Sequence, residues 1–226
     1  MIGMFDPLFW ILVGPALILG IIAQIWVQAA YRRAREVPAP MSGAEVARVI
    51  LNAWGLHNVK VERVGGFLED HYDPRTQVIR LSPEVYGSRS VAAMGIAAHE
   101  VGHALQHAEG YAPLAVRNAA VGIANLGSGA GLWLLILGIV FSIPVLAWVG
   151  VILFAGTVFF QLVNLPVEFN ASARAKAVLA QLGIVDQRSV SLVNSVLTAA
   201  ALTYVAATLQ AILTLVYYLM LLQRRE

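Results

Sequence analysis

The residues that could do chemistry lie in one short stretch, His99-Glu100-Val101-Gly102-His103, an H-E-x-x-H sequence. On a helix, residues four apart share a face, so both imidazoles can reach one ion. Glu100 lies beside that axis, where its carboxylate can accept a proton from a metal-bound water rather than bind the metal itself. With 5 His and 9 Glu in 226 residues, the motif arises by chance in about 0.4% of such chains. The chain has no cysteine, so a transition metal must be held by His, Asp or Glu. A hydrogen-bonded pair of core histidines is the structural alternative.

A catalytic zinc takes a third protein ligand and leaves one position for water. His107 continues the i, i+4 row, but two helical turns separate it from His99, about 12 Å, so all three histidines cannot converge on one ion. His57, His71 and Glu109 read as solvated surface groups. Glu168 is the better third ligand. It is the first acid after a run of 50 uncharged residues, Asn118 to Val167. Its alternative role is to cap or edge the helix expected over 171–182.

These residues sit in a chain that is 59% hydrophobic and 12% charged, with a mean hydropathy of +0.73. Soluble domains carry about 25% charged residues, so this is not the composition of an ordinary soluble enzyme. A net charge of +2 is too small to suggest a nucleic-acid partner, since a polyanion calls for a concentrated basic face. Three uncharged runs organise the chain: Pro7 to Tyr31, Asn118 to Val167 and Ser189 to Gln223. A bilayer span needs about 20 apolar residues. The first run holds one span, 9–30. The second holds two, 122–141 and 145–165, broken at Ser142-Ile143-Pro144. The third holds one, 197–222.

The first span is an uncleaved anchor: its leader carries an acid and no base, and Arg32, Arg33 and Arg35 follow it. Four spans place residues 31–117 and 166–196 on the same side. Those stretches hold 13 of the 15 Lys and Arg residues, which puts them in the cytoplasm. Only Arg224 and Arg225 fall outside. Glu168 thereby returns to the side of His99 and His103, an inference that makes no use of the motif.

Between the first two spans the chain reads as a small α+β segment. Ser42 and Glu45 form a capping box that opens a helix with Val46, Val49, Ile50 and Ala53 on its apolar face, and Gly55 stops it. Alternation at Val59–Glu62 predicts a strand. Gly65-Gly66 turns the chain, and 67–72 and 77–82 flank the turn sequence Asp73-Pro74-Arg75-Thr76, a hairpin. Strand 77–82 could offer an edge to an extended substrate by strand addition, or it could equally be a core strand. Ser82-Pro83 starts a short helix. Ser90 opens a longer one, apolar on every side, into which the H-E-x-x-H residues are set.

At this point a resemblance is plain. His71-Tyr72-Asp73-Pro74, Arg80-Leu81-Ser82-Pro83, Ala97-Ala98-His99-Glu100-Val101-Gly102-His103-Ala104, Leu165-Pro166-Val167-Glu168-Phe169 and the run from Ala199 to Ala207 resemble the bacterial integral-membrane neutral zinc metallopeptidases of the YugP type. The match runs in order over almost the whole chain. It implies a gluzincin-like site with His99 and His103 as ligands, Glu100 as general base and Glu168 as third ligand. In many gluzincins an Asp four residues after the ligand Glu orients a ligating His; here that position is Ser172, with Asn170 the nearest amide.

The expectation is a mainly α membrane protein: four transmembrane helices and a small α+β zincin-like metallopeptidase domain. Its segments are a first transmembrane helix (1–31), a cytoplasmic α+β segment with the H-E-x-x-H helix (32–117), a transmembrane hairpin (118–167), a cytoplasmic helix with the third ligand (168–196) and a fourth transmembrane helix with its tail (197–226). The function expected is a Zn2+-dependent endopeptidase of the bacterial inner membrane, with its site on the cytoplasmic side. It would act on membrane or juxtamembrane polypeptides through a zinc-activated water and Glu100. Its partners are that polypeptide and the lipid bilayer. A non-catalytic metal-binding regulatory or quality-control protein is the alternative, and a transporter using the same residues is a third reading that the uncharged spans disfavour. Tyr204, His71 and Tyr111 are candidate donors to a developing oxyanion.

Overall fold

The computed structural model describes residues 6–65 and 69–224. Its elements are helices α1 (Pro7–Arg35) and α2 (Gly43–Ala53), strands β1 (Lys60–Arg63), β2 (His71–Asp73) and β3 (Val78–Leu81), and helices α3 (Pro83–Tyr86), α4 (Val91–Ala108) and α5 (Ala112–Leu126). A π-helical turn at Gly127–Gly131 leads into α6 (Leu132–Val140), and α7 (Pro144–Gln181) and α8 (Gln187–Gln223) complete the chain. Among the described residues, four helical stretches are long and apolar enough to cross a membrane: Pro7–Arg35, Ala112–Val140, Pro144–Gln181 and Gln187–Gln223. Together with the small sheet they make a mainly α membrane protein with an α+β portion.

Two compact units divide the chain: residues 1–23, 115–166 and 202–226 form one, and residues 24–114 and 167–201 form the other. The first is the hydrophobic unit. Its core gathers Val13, Leu135, Ile139, Ala147, Val151 and Tyr217. Its outward side chains include Ile11, Ile18, Trp133, Val145 and Ile152, all more than half exposed, as lipid-facing positions are. The hairpin turns where expected: Ser142 takes a left-handed φ of 57°, and Pro144 starts α7 at a position where its missing N–H costs nothing. The two hairpin arms touch closely, and a Cβ on Gly150 would lie 2.3 Å from the Leu135 backbone nitrogen. Tyr217, fully buried, donates its hydroxyl to Asp6 (3.1 Å).

The second unit holds the sheet and α4. Ser42 caps α2 as expected: its Oγ accepts from the Glu45 amide, and Glu45 accepts from the Ser42 amide at 2.7 Å. The buried face is Gly43, Val46, Ala47, Ile50 and Leu51. Val49 is 39% exposed and Ala53 is exposed, which corrects the expected face. Packing against α4 chose a stripe one position round, 46, 47, 50 and 51, because Leu51 offers more apolar area than Ala53. Gly55, at φ 71°, follows the helix.

The sheet order is β1-β3-β2, with β1 parallel and β2 antiparallel to β3. The predicted hairpin is the β2–β3 pair, and Gln77 (φ 54°) closes its turn. The expected strand over 67–72 falls partly on Phe67 and Leu68, which with Gly66 of the predicted turn lie outside the described residues. β3 is the central strand, so of the two readings of 77–82 the core strand holds and the substrate-accepting edge falls: both of its edges are already paired. Val78, Ile79 and Leu81 are buried accordingly.

Two expected boundaries also move. The span at 145–165 and the helix at 171–182 are one helix, α7, with Pro166 inside it. Proline is tolerated in such helices where other groups supply the freed carbonyls. The polar stretch before the last span likewise belongs to α8. Residues 167–181 of α7 pack against α4 in the second unit, at Gly102. A Cβ there would lie 2.5 Å from the Ala171 carbonyl oxygen and 3.2 Å from its Cα. Gly102 is therefore what lets the two backbones meet. Gly102→Ala is expected to destabilise the detergent-solubilised chain by about 1–3 kcal/mol, the usual cost of forcing an extra carbon into a packed core, as a lower midpoint in denaturant unfolding followed by circular dichroism.

Candidate metal centre

Helix α4 starts at Ser90, whose Oγ accepts from the Ala93 amide. Its residues 91–106 are buried apart from Ile96 and His99, which are partly so. Small residues (Ala92, Ala93, Gly95, Ala97, Ala98, Gly102, Ala104) let neighbouring elements approach on all sides. Within this helix His99 and His103 are one turn apart, their rings 4.8 Å between centroids and nearly perpendicular.

The third partner arrives from α7. Glu168 Oε2 lies 3.3 Å from His99 Nε2 and 3.7 Å from His103 Nε2, and a ligand atom from each residue lies within 4.8 Å of the others. All three side chains are largely withdrawn from solvent. Donors at about 2.0–2.1 Å from one tetrahedral ion stand about 3.3–3.5 Å from each other. The spacing of Glu168 from the two imidazoles thus suits a single zinc, and the set of two nitrogens and one carboxylate suits it chemically. A carboxylate buried between two imidazoles is costly unless compensated, and a divalent cation compensates all three at once. His99, His103 and Glu168 are the group that could hold that ion.

Each imidazole also has a partner on its far nitrogen. Ser172 Oγ is 3.2 Å from His99 Nδ1, so a serine occupies the place where an acid was sought. Gln106 Oε1 is 3.0 Å from His103 Nδ1, and Gln106 Nε2 donates to the Val167 carbonyl and to Asn170 Oδ1, both at 2.9 Å. Such partners orient metal-binding histidines and fix which nitrogen faces the ion. Sequence reasoning missed Gln106; the available signal was an amide three residues after His103 in an otherwise apolar helix.

Glu100, on the same turn as His99, is buried. A second acid stands near it. Asp70 accepts from the Ser82 amide (2.8 Å) and hydroxyl (3.1 Å). Burial pushes its carboxyl above the usual range and the charge of Glu100 adds to this, while the Ser82 donors oppose both. His107 lies outside the cluster, as expected: its Nδ1 is 2.8 Å from the Tyr72 hydroxyl, a group whose pKa burial pushes up to about 12. His71 faces its own strand surroundings, with Nδ1 2.7 Å from the Glu69 carbonyl. Glu109 is not merely solvated, because Arg174 donates to it at 2.7 Å and holds its carboxyl below the usual carboxylate range.

The chain as a whole matches a protein family over residues 9–223, the family described as "Putative neutral zinc metallopeptidase". It belongs to this family, and Zn2+ is the cofactor that membership implies. Among curated proteins it is similar to the "Putative membrane protease YugP" of Bacillus subtilis (strain 168), 45% identical over 216 residues, covering 95% of this chain and 96% of that protein. No solved structure matches it. Removing the acid from the cluster gives a direct check. Glu168→Ala should cut the zinc content of the purified, dialysed protein well below one ion per chain, measured by atomic emission; unchanged content would take Glu168 out of the ligand set.

Proposed function

We propose that this chain is a membrane-embedded zinc endopeptidase that hydrolyses peptide bonds of membrane or juxtamembrane polypeptides. In this reading His99, His103 and Glu168 hold the metal and Glu100 is the general base. The observation that carries it is the convergence of Glu168 on the two imidazoles, with the buried carboxyl group of Glu100 on the same helical turn as His99. Family membership and the name of the relative support the same class of reaction.

When bound, zinc would supply Lewis acidity, lowering the pKa of water toward about 7 and polarising the scissile carbonyl. Glu100 takes a proton from the attacking water onto a carboxylate oxygen. It then delivers that proton to the amine nitrogen of the departing half of the peptide. Burial of Glu100 keeps the transfer short and away from bulk solvent.

Glu100→Gln keeps the size of the side chain and removes the base. Zinc content should stay at the parental level while cleavage of a casein-type substrate falls by about 10²–10⁴-fold. A variant that cleaves as fast as the parent would end the enzyme reading and leave metal binding without hydrolysis.

We also infer that residues 32–117 and 168–196 face the cytoplasm of a bacterial inner membrane, supported by the 13 of 15 basic residues they contain. Arg225, one of the two remaining, lies outside the described residues. Because the chain is free of cysteine, a single probe is readily placed. Asn58→Cys, at an exposed position, should resist a membrane-impermeant maleimide in intact spheroplasts and react once they are lysed. Labelling before lysis would reverse the assignment.

A further inference from the structure

The donors and acceptors around His103 permit one arrangement. Arg174 has only N–H groups to offer, and its Nε meets Asn170 Oδ1 at 2.7 Å. Arg174 is itself held by Glu109, the C-cap of α4, through its other nitrogen. Asn170 therefore presents its oxygen, not its amide nitrogen, and that oxygen also faces Gln106 at 2.9 Å. The Val167 carbonyl on the same side of Gln106 is likewise an acceptor only. Gln106 must turn its NH₂ toward both, which uses both of its protons. Its Oε1 is left facing His103 Nδ1. An amide oxygen can only accept, so Nδ1 must carry the proton.

From this we infer that Gln106 is the positioning residue of the metal centre: it fixes His103 with Nδ1 protonated and Nε2 turned to the ion, and it ties α4 to the residues of α7 that flank Glu168. The inference rests on the proposed ligand set. Gln106 is fully buried, so water cannot substitute for its partners. Val167 and Asn170 bracket Glu168 by one residue before and two after, so the same side chain that aims an imidazole also holds the carboxylate's backbone in place. One uncharged amide thus serves two ligands on two helices. The chain of contacts from Glu109 through Arg174 and Asn170 prevents that amide from flipping.

The test uses the full-length chain in detergent with ¹⁵N-labelled histidine. In the metal-free parent, His103 should show a proton on Nδ1 that exchanges slowly with solvent; an unprotonated or fast-exchanging Nδ1 would overturn the inference without any variant being made. Gln106→Leu should lose that slow proton and raise the zinc dissociation constant 10–100-fold, measured by competition with a chelator. Gln106→Glu keeps an acceptor for Nδ1 but offers no donor to Val167 or Asn170. It should therefore retain the slow proton and still bind zinc at least 10-fold more weakly. Parental affinity in Gln106→Leu would refute the positioning role, and parental affinity in Gln106→Glu would refute the tie to α7. His99→Ala and His103→Ala check the ligand set separately. If both bind zinc like the parent, the metal reading falls, while the state of Nδ1 and its dependence on Gln106 are still read in the metal-free protein.

Discussion

The constraint on which this structure turns is a carboxylate, Glu168, held out of water against two imidazoles. Moving an ionised carboxylate into such surroundings costs several kcal/mol unless opposite charge and hydrogen bonds replace its hydration. Its near neighbours on α7 are apolar, amide or hydroxyl side chains, and none carries a positive charge. α4 brings His99 and His103 to it, and a cation held jointly by the three side chains would compensate the carboxylate. The geometry of the second unit follows from bringing α4 and residues 167–181 of α7 close enough for this to happen. Gly102 removes the Cβ that would keep the backbones apart. Ala171 and Ala175, both buried, keep the α7 side of the contact thin.

Close approach alone would leave the ligands free to rotate, and two devices prevent it. Ser172 sits on the same face of α7 as Glu168, one turn further along, and reaches His99. Gln106 sits one turn beyond His103 on α4 and reaches back to α7. Each helix thus brings side chains of the candidate centre, two from α4 and one from α7, and a group that reaches the other helix. Both orienting groups are uncharged, which avoids burying a further carboxylate beside Glu168 and Glu100. Asp70, the acid whose carboxyl burial and Glu100 push up, shows how crowding of negative charge is felt there, and its Ser82 donors are what hold it in place.

The candidate cluster was partly legible in the sequence, because helical spacing dictates that His99 and His103 share a face of an otherwise apolar helix. Glu168 could be placed near them by counting spans, which needs only the bilayer thickness and the distribution of charge. The capping box at Ser42, the turn at Asp73–Thr76 and the break at Ser142–Pro144 are local signals and were read correctly. What escaped were facts set by tertiary contact. Periodicity cannot say that Val49 turns outward while Leu51 turns in, since both fit an apolar stripe. It cannot say which strand is central, so edge and core stood level for β3 until the pairing decided it. Nor can it say that the span at 145–165 and the helix at 171–182 join into one, with Pro166 inside it, because a helix in a packed unit can be continued by contacts that an isolated one lacks.

Gln106 marks the limit of reading from the chain alone. A glutamine in an apolar helix signals only that an amide must find partners; which partners, and in which of its two orientations, depends on an arginine 68 positions later in the sequence. Arg174 can only donate, Asn170 must answer with its oxygen, and Gln106 must then offer its nitrogen there and its oxygen to His103. Directionality in hydrogen bonding thereby passes from a partly exposed ion pair with Glu109 to a buried imidazole. The proton on His103 Nδ1 is thus set by groups that never approach the metal, and the nitrogen left for an ion is the one that faces Glu168.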